Sequence, residues 1–248
     1  MTGDSALILA AVAVGVATYI QGITGVGFGM VAMPLLVLID PGAVPGPVII
    51  AGIFASVPFL IAGWRQVAWR ELAILLPGVV IGSLVAAIVI SLVASNTLRA
   101  FVGLLLVVVG GAAVFSKSRA PGPVAFTSAG FATGFIGTVA GVHSAPLAIL
   151  YRYDTLAKVR PTAAALFVAA YILSLAGLAA IAPSQLGSPT IVLAMIPGVL
   201  VGLFAASGRF ARPAGGIMRP IILMLCILAG LRLIASAMGG GILAAMAI

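Results

Sequence analysis

Gln21-Gly22-Ile23-Thr24-Gly25-Val26-Gly27-Phe28-Gly29-Met30-Val31-Ala32-Met33-Pro34 is the stretch on which the reading of this chain turns. It lies inside an apolar run over about residues 5–39 but carries four glycines and a closing proline, residues that weaken a helix. In hydrocarbon, broken backbone survives only where protein or a watery cavity satisfies its polar groups. Working outward, a second copy stands at Gly134-Phe135-Ile136-Gly137-Thr138-Val139-Ala140-Gly141-Val142-His143-Ser144-Ala145-Pro146. Gly22, Gly25, Gly29 and Pro34 map onto Gly134, Gly137, Gly141 and Pro146 with one offset of 112. Two matched, glycine-interrupted apolar segments are the sequence pointer to a transporter's substrate site.

The surroundings set the class. Hydrophobic residues make up 63% of the chain and charged ones only 6%, whereas a soluble domain carries roughly 25% charged residues. The chain is therefore expected to be an all-α polytopic membrane protein with the lipid bilayer as its solvent. A net charge of +8 would suit nucleic acid if the bases were clustered, but they sit in short gaps between apolar runs, where they fix membrane orientation. No nucleic-acid partner is expected. Cys226 is the single cysteine and His143 the single histidine, so neither an internal disulfide nor a metal cluster is expected, and no cofactor. The N-terminus has no basic region before its apolar run, so the first segment is read as retained.

The apolar runs fall at about 5–39, 48–63, 72–93, 97–115, 124–150, 162–182, 190–207 and 220–236. The first is too long for one crossing, since about 20 residues span a bilayer. The repeat continues past the glycine motif: Pro77-Gly78 and Gly82 match Pro197-Gly198 and Gly202 with an offset of 120, as do Arg99 and Gly110 with Arg219 and Gly230. The expected organisation is a first repeat over 1–116, a linker at 117–124, a second repeat over 125–236 and a tail at 237–248. Each repeat is a broken helical segment, re-entrant or hairpin, followed by three transmembrane helices.

Charge decides how the repeats sit. Arg65 and Arg70 follow the second run of the first half, while Arg152, Lys158 and Arg160 follow the broken segment of the second. Equivalent gaps carry opposite charge, which predicts two inverted repeats. Each broken segment then enters and leaves on one face, as two half-helices of about 13–15 residues reaching only about 20–22 Å each. Arg65, Arg70, Lys117, Arg119, Arg152, Lys158, Arg160, Arg209, Arg212 and Arg219 fall inside; Arg99, Arg232 and both termini fall outside. Eight simple crossings would instead put Arg65, Arg70, Lys117 and Arg119 outside.

A helix that starts within the membrane aims unpaired N–H groups and the positive end of its dipole at whatever sits there, which suits an anion. The candidate substrate-binding residues are Gln21, Gly22, Thr24, Gly25, Gly27 and Gly29 in the first motif. In the second they are Thr133, Gly134, Gly137, Thr138, Gly141, His143 and Ser144. Pro34 and Pro146 are read as the helix breaks. The competing reading of the glycines is close helix packing. His143 is read either as a proton-linked or substrate-contacting residue or as a neutral ring bonded to a backbone carbonyl. Arg99 and Arg219 anchor helix starts at the interface or guide anions. Asp40, Glu71 and Asp154 lie in gaps, which argues against a sodium site or a buried carboxylate relay. No nucleophile–base pair or phosphate-binding loop appears, so no enzyme is expected.

With these motifs placed, the chain resembles the TauE/SafE sulfite exporter family of membrane permeases. The resemblance rests on Gln21 through Gly29 with Pro34, on Gly134 through Pro146, on the Pro77 and Pro197 elements and on Arg99 and Arg219, covering about residues 5–236. It implies a bacterial cytoplasmic-membrane carrier of small anions such as sulfite, sulfoacetate and other sulfonates. The second motif departs from the first in carrying Thr138, Val139 and Ala140 between its glycines, which leaves the substrate open. Export is expected, driven by the membrane potential or protons, with an uptake permease, a passive anion channel or a non-transporting scaffold subunit as alternatives. Monomer and homodimer both stay open.

Overall fold

The computed structural model describes residues 3–39, 45–115, 122–151, 154–207 and 218–245, which form helices and short connections without a strand. In order the helices are α1 (Gly3–Thr24), α2 (Phe28–Ile39), α3 (Gly46–Gly63), α4 (Trp69–Leu92) and α5 (Ser95–Phe115), then α6 (Pro123–Ala140), α7 (Ser144–Leu150), α8 (Leu156–Ile181), α9 (Pro189–Ser207) and α10 (Met218–Ala245). Six of them, α1, α3, α4, α6, α8 and α9, are long and apolar enough to cross a membrane. The chain is a multi-pass, all-helical membrane protein.

Each glycine motif splits one apolar run, but not into equal limbs. The first gives 22 residues in α1 and 12 in α2, the second 18 in α6 and 7 in α7. At 1.5 Å per residue α1 is about 33 Å long, enough for a whole bilayer core. The return limbs are the short ones. A second difference lies at the C-terminus: α10 runs on through Gly239-Gly240-Gly241 to Ala245, so the expected tail at 237–248 is helical as far as that residue. Among apolar neighbours, backbone groups do better inside a helix than unpaired, and this outweighs the glycines' cost of about 1 kcal/mol each.

Glycine spacing dictates the packing. Lipid tails are as apolar as leucine, so helices associate by close backbone approach rather than by exclusion of water. A Cβ added at Gly198 would run into the Ala11 carbonyl, and one at Gly202 into that of Gly15, so α9 lies parallel to α1. In the same way Gly130 and Gly134 of α6 abut the carbonyls of Leu75 and Val79, and Gly82 abuts that of Phe131, so α4 lies parallel to α6. Each Pro-Gly-x-x-x-Gly element thus seats the first helix of the opposite half. Helices α3 and α8 are antiparallel, with Gly46 against Gln185 and Leu186 at one end and Gly63 against Pro161 at the other. Helices α5 and α10 cross where Gly103 and Gly230 each meet the other's carbonyl. Exchanging the halves leaves this pattern unchanged: α1 on α9 becomes α6 on α4, and α2 on α10 becomes α7 on α5.

The described bases are segregated. Arg65, Arg70, Lys158 and Arg160 share one end of the bundle, where the Ala68 N–H donates to Thr162 Oγ1 at 3.0 Å and Lys158 Nζ meets Glu71 Oε1 at 2.7 Å. Arg99 starts α5 at the far end of α4, and Arg232 donates from Nη1 to the Leu38 carbonyl at 2.6 Å, near the end of α2. Asp40, Lys117, Arg119, Arg152, Arg209 and Arg212 lie outside the described residues, as do the side chain of Arg219 and the surroundings of Gly110.

Candidate functional site

The first break comes at Gly25-Val26-Gly27. Gly25 and Gly27 take φ of +80° and +117°, values that glycine reaches without a Cβ clash. Thr24 closes the turn, its Oγ1 donating to the Ile20 carbonyl at 2.7 Å and touching the Val26 carbonyl. The second break comes at Gly141-Val142-His143, where Gly141, at φ +70°, caps α6 and donates its N–H to the Gly137 carbonyl at 2.8 Å. These turning glycines are not equivalent in the repeat. Gly25 corresponds to Gly137, which is helical, and Gly141 to Gly29, which is helical too. The second break falls four residues later in the motif, about one helical turn.

The prolines do not make the breaks that the sequence suggested. Pro146 sits in the first turn of α7 and Pro34 in the middle of α2. A first-turn proline removes an N–H that has no helical partner anyway. Pro34 does free a carbonyl, that of Met30 four residues back, and the Cys226 thiol of α10 donates to it at 3.3 Å. Glycine, not proline, reverses the chain.

The first turn of α2, just after the first break, touches the second break. A Cβ added at Gly29 would overlap the Gly141 carbonyl and come within 3.0 Å of Val142 Cα. Gly141 in turn faces Val48 and Met33. Around this contact lies a buried polar set. Gln21 donates from Nε2 to Ser56 Oγ at 2.9 Å, joining α1 to α3. Thr138 Oγ1 donates to the Gly134 carbonyl at 2.7 Å and lies 2.6 Å from Ser174 Oγ, joining α6 to α8. Ser174 Oγ is also 3.0 Å from His143 Nε2. The protons then assign themselves: Thr138 donates to backbone, Ser174 donates to Thr138, and His143 donates to Ser174 from Nε2. The neutral ring is left with a bare Nδ1 that has no partner among the described residues. The ring also packs edge-on against Tyr171, centroids 4.4 Å apart, and Tyr171 fills the space left by Gly52.

The structure therefore gathers Gly29, Thr138, Gly141, His143 and Ser144 around this contact, while Gln21 bonds Ser56 between α1 and α3. Ser144 Oγ and Tyr171 OH are buried there without a hydrogen-bond partner among the described residues, as are Gln21 Oε1 in α1 and Thr133 Oγ1 in α6. Each such group costs about 1–3 kcal/mol if left unsatisfied. Other candidates do different work. Gly22 lets α1 approach Ala206 and Phe59, Gly134 seats Ser83, and Gly137 leaves room for the His143 ring. Thr24, Gly25 and Gly27 shape the turn. Ser56, Ser174 and Tyr171 escaped the sequence reading; each is a polar residue within an apolar run, buried at the interior of α3 or α8, and that placement was the available signal.

At the basic end, Tyr151 follows α7 and donates to Glu71 Oε2 of α4 at 2.8 Å, while Lys158 Nζ bridges Glu71 and Asp154 at 2.7 and 3.0 Å. Burial first, then Glu71 and Asp154, push the Tyr151 phenol above its usual range, so it stays a donor. Tyr151→Phe is expected to lower stability by about 1–2 kcal/mol. A thermal melt in detergent checks this; an unchanged melt would mean that water replaces the bond.

Comparison with known proteins agrees with the resemblance. A family model described as sulfite exporter TauE/SafE matches residues 7–233. No curated protein and no solved structure matches the chain.

Proposed function

The chain belongs to the TauE/SafE sulfite exporter family, a family of membrane transporters of sulfur anions, and from that premise we propose that it is a secondary carrier of sulfite or small organosulfonates. The anion sits beside the contact of Gly29 with Gly141, next to the start of α7. The observation that carries this reading is the contact of those glycines beside the unpartnered hydroxyls of Ser144 and Tyr171. Hydroxyls and backbone N–H groups hold an oxyanion by donating to it without a buried lysine. The two halves act as inverted repeats, and the basic end faces the cytoplasm of a bacterial inner membrane, which puts the N-terminus outside. Export follows the field, since an anion leaving a negative interior gains about 2.3 kcal/mol per 100 mV.

The test is a thermal-shift series on purified protein with sulfite, sulfate, ethanesulfonate and simple carboxylates, followed by sulfite flux in proteoliposomes. A ligand at 100 times its dissociation constant adds about 2.7 kcal/mol. Stabilisation by a sulfur anion with saturable flux is the expected result; flux without saturation would make the protein a channel, and neither would make it a scaffold. Orientation is read separately. Single cysteines at Gln66, at the basic end, and Gln185, at the other, are expected to label from the inside and the outside respectively. Labelling of both from one side would overturn the assignment.

A further inference from the structure

At the basic end a cavity of about 310 Å³ opens between the end of α3 and the start of α8. Phe59, Ala62, Leu156 and Pro161 give it an apolar wall, while Gln66 and Arg160 bring an amide and a guanidinium. The guanidinium lies over the Phe59 ring, 5.8 Å from its centroid. Its Nε is buried with no acceptor among the described residues. The reason is local: Lys158 takes both nearby carboxylates, Glu71 and Asp154, and leaves Arg160 without a counter-ion among the described residues. A cation held on an aromatic face and denied its carboxylates is a receptor for an anion from elsewhere. The cavity also abuts the first break, since Gly25 packs on the Arg160 backbone and the Leu156 side chain.

We propose that this cavity is a second anion-docking site, separate from the meeting of the breaks, and that it takes a small organosulfonate with its head on Arg160 and Gln66 and its carbon chain on the apolar wall. The choice of a sulfur anion rests on the family reading above; the choice of one with a tail rests on the cavity. A water occupies about 30 Å³, so an inorganic oxyanion would leave most of the space and all of the apolar wall unused. The same head-and-tail chemistry is found in an anionic lipid, and the experiment separates the two.

Titration calorimetry in a neutral detergent, with ethanesulfonate as probe, tests it. Arg160→Gln is expected to weaken ethanesulfonate binding at least about tenfold, as loss of a charge-assisted contact should. Ala157→Trp, which narrows the cavity from its exposed rim and keeps the Arg160 charge, is expected to weaken ethanesulfonate while sparing sulfite. Because the carrier site also takes an organosulfonate, both substitutions are read in the Gly29→Leu background; ethanesulfonate binding that survives them there overturns the proposal, and so does binding confined to phosphatidylglycerol with no response to ethanesulfonate. Gly29→Leu distinguishes this failure from that of the transport reading. In that variant Arg160-dependent binding of ethanesulfonate is expected to persist although flux is lost, and its disappearance would mean that there is no separate site.

Discussion

Replacing Gly29 by leucine is expected to abolish anion flux while the protein still reaches the membrane. The first added carbon already collides with the Gly141 carbonyl, and Val142 Cα stands 3.0 Å away. These are backbone atoms and cannot swing aside as a side chain would. The larger side chain therefore forces the two breaks apart or leaves them strained, at a cost of about 1–3 kcal/mol or more. Either outcome moves Gly141, whose φ of +70° no other residue adopts cheaply. Flux measured in proteoliposomes, normalised to the amount of inserted protein, checks it. Full activity would show that the contact between the breaks is only packing. Gly122→Leu is the control, because nothing lies within 4 Å of a Cβ there.

The second large effect is expected at His143. As a neutral ring it holds Ser174 through Nε2, two residues after Gly141, whose carbonyl Gly29 rests on. A proton added at Nδ1 turns that atom into a donor close to the contact of Gly29 with Gly141. His143→Gln keeps a donor for Ser174 and removes the titration. If transport is proton-linked through this ring, its rate changes by up to about tenfold per pH unit over the titration, the limit for one proton. That dependence is expected to flatten in the variant, with only a small loss of thermal stability. An unaltered pH profile would make His143 a structural member of the Thr138–Ser174 network. His143→Ala separates the roles further, since it empties a fully buried site and loses stability at every pH.

Much of this architecture was legible in the sequence. Composition alone required a membrane protein. The apolar runs located most helix ends to within a few residues, because in lipid a span must be long and apolar along its whole length; the start of α8 at Leu156 and the end of α10 at Ala245 lie further out. The Pro-Gly-x-x-x-Gly elements were legible as a pair, though not their partners, since spacing shows that a helix face is narrow and not what fills it. The breaks were located but their hinge residues were not. A glycine's conformation depends on what it meets, so Gly25 and Gly141 turn while their counterparts Gly137 and Gly29 stay helical. Pro34 looked like a breaker and is tolerated because a thiol on α10, 192 positions away, donates to the carbonyl that the proline frees. Ser56, Ser174 and Arg160 belong to contacts between helices far apart in sequence; a polar residue in an apolar run flags the two serines, but not the partner that each one meets.

The parallel seating of α1 on α9 has a consequence for how the protein is made. Gly15 and Gly202 touch although they stand 187 positions apart. At a synthesis rate of about 5–20 residues per second, the first helix waits about 10–40 s in the bilayer before its partner exists. During that interval its glycine face is bare to lipid or to whatever assists insertion. Helix α6 suffers no such delay, because α4 is already in place when it emerges. The second half is thus assembled on the first, and the first is completed only when the second has arrived.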